Sequence, residues 1–302
     1  MPVHWNSTDL NDRLGLIRGA KNLMQLISGT ELAAQLKQHT YQKNQAKGVT
    51  PTLAVILVGK QEDSQAYVKL KQKAASDTGG ICQVVHLAED ITAPQLHLEI
   101  ERLNLDQKVH GIILQLPLPK HLEAMQDQFL QAISPEKDVD GFNPINRGLL
   151  IGGRPSFMSC AALAAMEVIN RYLPDIEGRR ALLIGDSFDL ILPLTAMLVE
   201  QGCEVRVMPV WDGKQCLEAD VVIAEKGSAH CIKARHLASG TLLIDAGFYW
   251  TPDGVKGNVD KNDVSGISGY LLPVPGGIGP VLIAKLMQNL SRAAGEQLDS
   301  KP

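Results

Sequence analysis

The chain has 302 residues, 45% of them hydrophobic and 21% charged, enough core-forming material for two ordinary domains or one large one. A formal net charge of -4 offers no basic footprint for nucleic acid, and no apolar run approaches the length of a membrane span. Five cysteines without a C-x-x-C pair, eight histidines without metal-type spacing and a polar N-terminus without a signal-peptide core point to a cytoplasmic protein with no disulfide framework and no bound metal.

Residues up to about Asn22 carry no strong pattern and read as an N-terminal extension. Met24 to Lys37 is periodic and reads as a helix capped by Ser28 or Thr30. Strand-like and helical runs then alternate. Thr52–Val58 is a strand closed by Gly59, and a helix follows without Pro or Gly until Gly79. Ile81–Leu87 is a strand, Gln95–Leu103 a helix after Pro94, and His110–Gln115 a strand running into Leu116-Pro117-Leu118-Pro119. A helix near Leu122–Ile133 leads to Lys137-Asp138-Val139-Asp140-Gly141. A second alternating unit starts after Arg154-Pro155, with a helix at Ser159–Leu173, strands at Arg180–Ile184, Glu204–Met208, Asp220–Ala224 and Thr241–Ile244, and a helix at Leu190–Gln201. Asp253-Gly254 marks a hairpin turn, and Gly279–Ala294 is a final apolar-striped helix. Such alternation implies an α/β protein of two domains, the second a Rossmann-like doubly wound parallel sheet, joined near residues 150–158.

In sheets of this kind ligands bind beyond the carboxyl ends of the strands. The helix after Gly59, Gln115 and the Asp140 segment all fall at that edge. Tyr67 and Lys71, four apart, share one helix face. They suit two roles: a half-buried packing aromatic beside a solvated lysine, or an aromatic platform beside a proton-transferring amine whose pKa is lowered by desolvation. Asp140 before Gly141 suits a turn as well as a site. The loop Pro273-Val274-Pro275-Gly276-Gly277 suits a rigid tight turn or a close backbone approach to a ligand.

Four segments in order carry a resemblance. They are Tyr67-x-x-x-Lys71 preceded by Ser64, Gln115-Leu-Pro-Leu-Pro119, Lys137-Asp-Val-Asp-Gly141 and Pro273-Val-Pro-Gly-Gly-Ile-Gly-Pro280. From about Leu26 to Ala294 the chain resembles the bifunctional methylenetetrahydrofolate dehydrogenase/methenyltetrahydrofolate cyclohydrolase family. The resemblance implies a homodimer of two-domain subunits with a tetrahydrofolate derivative bound in the cleft between domains. Residues 23–155, completed by a C-terminal helix over 280–296, would form the folate-binding catalytic domain, and residues 156–279 the nucleotide-binding type. Tyr67 would stack on the aminobenzoate. Lys71 would be the acid/base group of the cyclohydrolase step, which opens 5,10-methenyl- to 10-formyltetrahydrofolate. Gln115 would orient Lys71. Asp140 would hold the pterin, and Pro273, Val274, Pro275, Gly276 and Gly277 would line its pocket.

The second half departs from the family pattern. Where the family has Gly-Arg-Ser-x-x-Val-Gly-x-Pro, this chain has Gly185-Asp186-Ser187-Phe188-Asp189-Leu190-Ile191-Leu192-Pro193. Asp186 replaces the base and Ile191 the glycine. A carboxylate about 4 Å from a phosphate, at an effective dielectric of about 20, costs on the order of 4 kcal/mol. A bulky residue at Ile191 is expected to fill the place where backbone meets pyrophosphate. The second phosphate-reading segment is Met208-Pro209-Val210-Trp211, without cation or hydroxyl, and a later Val-Gly-like turn is Glu225-Lys226. The expectation is a degraded NADP site at Gly185, Asp186, Ser187 and Ile191, with hydride transfer absent or weak. Asp212 suits a ribose hydroxyl and hence NAD, if Ile191 moves aside. The alternatives are the full bifunctional enzyme, a one-carbon transferase that uses the vacated cleft for another acceptor, and a folate-binding protein without turnover.

Overall fold

The computed structural model describes residues 23–214 and 217–299; the N-terminal extension lies outside them. Its first element is a strand, β1 (Met24–Leu26), not the start of a helix. The helix α1 begins later, at Gly29, and runs to Lys47. Ser28 is its cap: the hydroxyl accepts from Glu31 N at 3.2 Å, and Gly48 closes the other end at φ 62°. The helical period of Met24–Leu26 is overridden by long-range pairing, since β1 lies parallel to residues 269–271.

Next come β2 (Thr52–Val58), α2 (Glu62–Asp77), β3 (Ile81–Leu87), α3 (Ala93–Leu105) and β4 (Gly111–Leu114). The three strands form a parallel sheet in the order β3-β2-β4. β2 is central, and Leu53 to Val58 are all buried, which explains a run with no polar alternation. Fully burying each of these side chains contributes about 1.5–3 kcal/mol. The single helix expected over 122–133 is two short ones, α4 (Lys120–Glu123) and α5 (Gln126–Ala132), followed by α6 (Pro144–Ile151).

The second unit contains α7 (Cys160–Tyr172), β5 (Arg180–Ile184), α8 (Ile191–Glu200), β6 (Glu204–Met208), β7 (Val221–Ala224) and β8 (Thr241–Asp245). A hairpin, β9 (Tyr249–Thr251) and β10 (Gly254–Lys256), is followed by α9 (Lys261–Val264), β11 (Gly269–Leu272) and the long C-terminal helix α10 (Ile278–Asp299). All pairings of its six-stranded sheet, β1-β11-β8-β7-β5-β6, are parallel. The expected α/β architecture is therefore present in both halves. Helix α10 packs against α1, α2 and α7, so the last helix of the chain braces both sheets. Its Asn289 amide donates to the Val139 carbonyl at 2.9 Å and to the Met158 carbonyl at 3.3 Å, tying the Asp140 segment to the junction between the halves.

Candidate active site

A cavity of about 720 Å³ lies between the two halves. One wall carries Tyr67, Leu70 and Lys71 of α2; the other carries Asp189, Glu225 and Phe248. The loop from Val274 to Gly277 closes one end. That loop lies against the start of α1, where a Cβ on Gly29 would overlap the Gly277 carbonyl, so the backbones meet with no room for a side chain.

Tyr67 is 49% exposed and presents its ring to the cavity, whereas Lys71, one turn on, is only 7% exposed. Lys71 Nζ donates to Gln115 Oε1 at 2.7 Å. The glutamine is fixed in turn: its backbone N–H donates to the Ile56 carbonyl at 2.9 Å, and its side-chain amide donates to the Leu116 carbonyl at 2.7 Å. With both amide ends assigned, Gln115 offers the lysine only its oxygen. Burial lowers the Lys71 pKa, and the nearby Asp140 carboxylate opposes that shift without cancelling it. Burial likewise raises the Asp140 pKa, with Lys71 opposing and Asp189 adding to the rise. Both groups are thus pushed toward their neutral forms. Asp140 is half-buried and close enough to Lys71 for each charge to act on the other.

The neighbouring Asp138 is a structural acid. It accepts from Phe142 N at 3.0 Å, Asn143 N at 2.8 Å and the Asn146 amide at 2.9 Å, and so shapes the turn that follows Asp140.

The turn from β5 into α8 differs in detail from expectation. Ile191 is fully buried in the core under the second sheet, so its side chain points inward, not over the turn. Asp186 is half exposed and ion-paired with Lys226. The group that fills the turn is Glu225, at the end of neighbouring strand β7. Its carboxylate accepts from Asp186 N at 3.1 Å, Ser187 N at 2.9 Å and Ser187 Oγ at 2.6 Å. Ser187 Oγ itself accepts from Leu190 N and Ile191 N, each at 3.2 Å, satisfying the first amides of α8. Gly185, at φ 144°, has the Glu225 side chain where a Cβ would stand. From sequence Glu225 counts only as part of a divergent Val-Gly-like turn; that an acid at the carboxyl end of the strand beside the Gly-x-Ser turn could fill that turn is what the structure adds. Asp212 is exposed on the loop after β6 and accepts from Lys214 N at 2.9 Å.

The fold and cleft define a two-domain α/β protein of the class with a ligand cleft between a smaller parallel sheet and a Rossmann-like one. Residues 27–140 match the tetrahydrofolate dehydrogenase/cyclohydrolase catalytic domain, and residues 159–298 match the NAD(P)-binding domain of the same family. The chain belongs to the tetrahydrofolate dehydrogenase/cyclohydrolase family. It is 49% identical over 276 residues to Bifunctional protein FolD 1 of Syntrophomonas wolfei, covering 91% of this chain and all of that protein. The crystal structure of the bifunctional FolD enzyme from Campylobacter jejuni superposes with a TM-score of 0.84 at 39% identity, over 90% of this chain and 99% of that one. The Trypanosoma brucei methylenetetrahydrofolate dehydrogenase-cyclohydrolase, solved with NADP cofactor and an inhibitor, gives 0.83 at 28% identity, over 92% of this chain and 99% of that one. No helix among the described residues is long and apolar enough to cross a membrane.

Proposed function

We propose that the protein hydrolyses 5,10-methenyltetrahydrofolate to the 10-formyl form, with NADP-linked hydride transfer weak or lost. The observation that carries the first part is the buried Lys71–Gln115 pair at 2.7 Å beside the cleft. The methenyl bridge is a cationic amidinium. Neutral Lys71 takes a proton from water as the water oxygen bonds to the bridge carbon. The bond from that carbon to N5 then breaks as Lys71 returns its proton to N5, and the hydroxyl proton of the adduct leaves to solvent as its oxygen becomes the formyl carbonyl on N10. One amine with a lowered pKa serves both transfers. A neutral amide partner holds it without the pKa rise a carboxylate would cause. Tyr67 stacks on the aminobenzoate, Asp140 holds the pterin edge, and the Pro273–Gly277 loop walls the pterin pocket. In this reading the catalytic domain spans 23–155 with 280–296, the second domain 156–279, and the enzyme works as a cytoplasmic homodimer.

The weakness of hydride transfer is supported at the β5–α8 turn. Asp186 brings an acid where the family pattern has a base, and the Glu225 carboxylate takes the amides that a diphosphate would need. The residues there do not fit a dinucleotide diphosphate.

The second reading is the full bifunctional enzyme using NADP or NAD. The match of residues 159–298 to an NAD(P)-binding domain favours it, as do the bifunctional relatives at 49% and 39% identity. One titration separates the two. Tetrahydrofolate, NADP and NAD are added separately while melting temperature is followed, and methenyl hydrolysis is read by absorbance. A ligand at a hundredfold excess over its Kd stabilises by about 2.7 kcal/mol. Folate is expected to raise the melting temperature and NADP to leave it unchanged. Saturable NADP or NAD reduction with methylenetetrahydrofolate establishes the second reading, and failure to hydrolyse methenyltetrahydrofolate overturns the first.

A further inference from the structure

We propose that Glu225 is the specificity-determining residue of the second domain, an anion belonging to the chain that occupies the phosphate nest and excludes the dinucleotide. The inference rests on the reading above that hydride transfer is weak, and it assigns the cause to one side chain.

A strand–turn–helix junction of this type binds anions because successive backbone N–H groups converge on one point at the positive end of the helix. Here that convergence is intact. Gly185 retains its positive φ, and the N–H groups of Asp186 and Ser187 point to one place. What has changed is the occupant. Glu225 places one carboxylate oxygen on both amides and the other on the Ser187 hydroxyl. The same hydroxyl accepts from Leu190 N and Ile191 N, so the amides at the entry to α8 are taken up within the turn as well. The next residue, Lys226, is turned onto Asp186, so its charge is spent on a neighbouring acid.

This arrangement separates Glu225 from the two residues first suspected. Ile191 is folded into the core and obstructs nothing at the turn, and Asp186 has its charge compensated. Exclusion by Glu225 is both steric and electrostatic: an incoming phosphate meets a filled site of its own sign. The nest is therefore plugged rather than dismantled, and a single side-chain truncation is expected to reopen it.

The test uses the full chain, with inorganic pyrophosphate as the probe and NADP as a second ligand, both by isothermal calorimetry. Circular dichroism and melting temperature verify folding. The wild type is expected to show no saturable heat with pyrophosphate, and E225A to bind it at least tenfold more tightly, with a melting temperature that rises with pyrophosphate concentration. If alanine there unfolds the domain, E225S takes its place, since a short hydroxyl can still meet the freed amides. A folded variant that binds pyrophosphate no better than the wild type overturns the assignment and leaves the proposed cyclohydrolase untouched. A wild type that binds NADP tightly overturns both the assignment and the reading of weak hydride transfer.

Discussion

Lys71 Nζ and Gln115 Oε1 lie 2.7 Å apart at the edge of the first sheet, and no carboxylate stands between them. The lysine comes from the third turn of α2 and the glutamine from the residue just after β4, whose N–H is held on the Ile56 carbonyl of β2. Replacing Lys71 by methionine keeps the stem and removes the amine. Loss of a positioned acid/base group is expected to slow methenyl hydrolysis roughly a hundredfold to ten-thousandfold, read by absorbance. K71R is expected to fail equally, because a guanidinium does not give up its proton.

Gln115→Glu tests the neutral partner. A carboxylate at that position favours the charged form of Lys71 and raises its pKa. The neutral amine then appears only at higher pH, so the ascending limb of the pH–rate profile is expected to move toward alkaline values. An unmoved limb would show that Lys71 is not the titrating base.

Gly29→Ala probes the meeting of α1 with the Val274–Gly277 loop. The added methyl would overlap the Gly277 carbonyl, so the loop must shift. A cost of about 1–3 kcal/mol is expected from such overpacking. Folate-linked stabilisation should fall with it, measured as a smaller rise in melting temperature on adding tetrahydrofolate.

Glu167 provides a stability prediction with a definite sign. It receives Lys285 Nζ at 2.6 Å and Arg171 Nε at 2.5 Å, joining α7 to α10. Burial pushes its pKa up, but the two cations outweigh burial and the net shift is downward. A depressed carboxylate contributes stability above its unfolded pKa of about 4.3 and loses it as pH falls through the folded value. E167Q is expected to cost about 1 kcal/mol at pH 7 by urea unfolding, for a partly exposed pair. The gap between variant and wild type should close below about pH 4.

The alternation of apolar strands with periodic helices was legible because a parallel sheet buries its strands on both faces and leaves uninterrupted apolar runs such as Leu53–Val58. The Tyr67/Lys71 pairing was legible because helical spacing is local. What escaped the sequence depends on distant partners. Met24–Leu26 is a strand because Gly269–Leu271 lies beside it, and nothing in three residues reports a neighbour so far along the chain. Asn143-Pro144 opens α6 with a side-chain cap and a helix-starting proline, a local signal that the sequence does carry. Ile191 was read as an obstacle from its bulk, but only the core decides which way a bulky side chain turns. Glu225 directly follows its strand's apolar run, Val221–Ala224, and its role arises from the adjacency of β5 and β7.

The placement of β1 bears on how the cleft can move. The backbone leaves the larger sheet at Ile27 and enters the smaller half, returns through the segment around α6, and passes back once more between β11 and α10. Three separate covalent strands thus span the gap, with Ile27 N held on the Leu271 carbonyl at 2.8 Å beside the last of them. A pair of lobes joined by one linker can swivel freely, whereas lobes stitched at three points are confined to rocking about a narrow axis. Substrate entry in this protein is therefore expected to involve a shallow breathing of the walls, with Tyr67 and Phe248 as the lips that part.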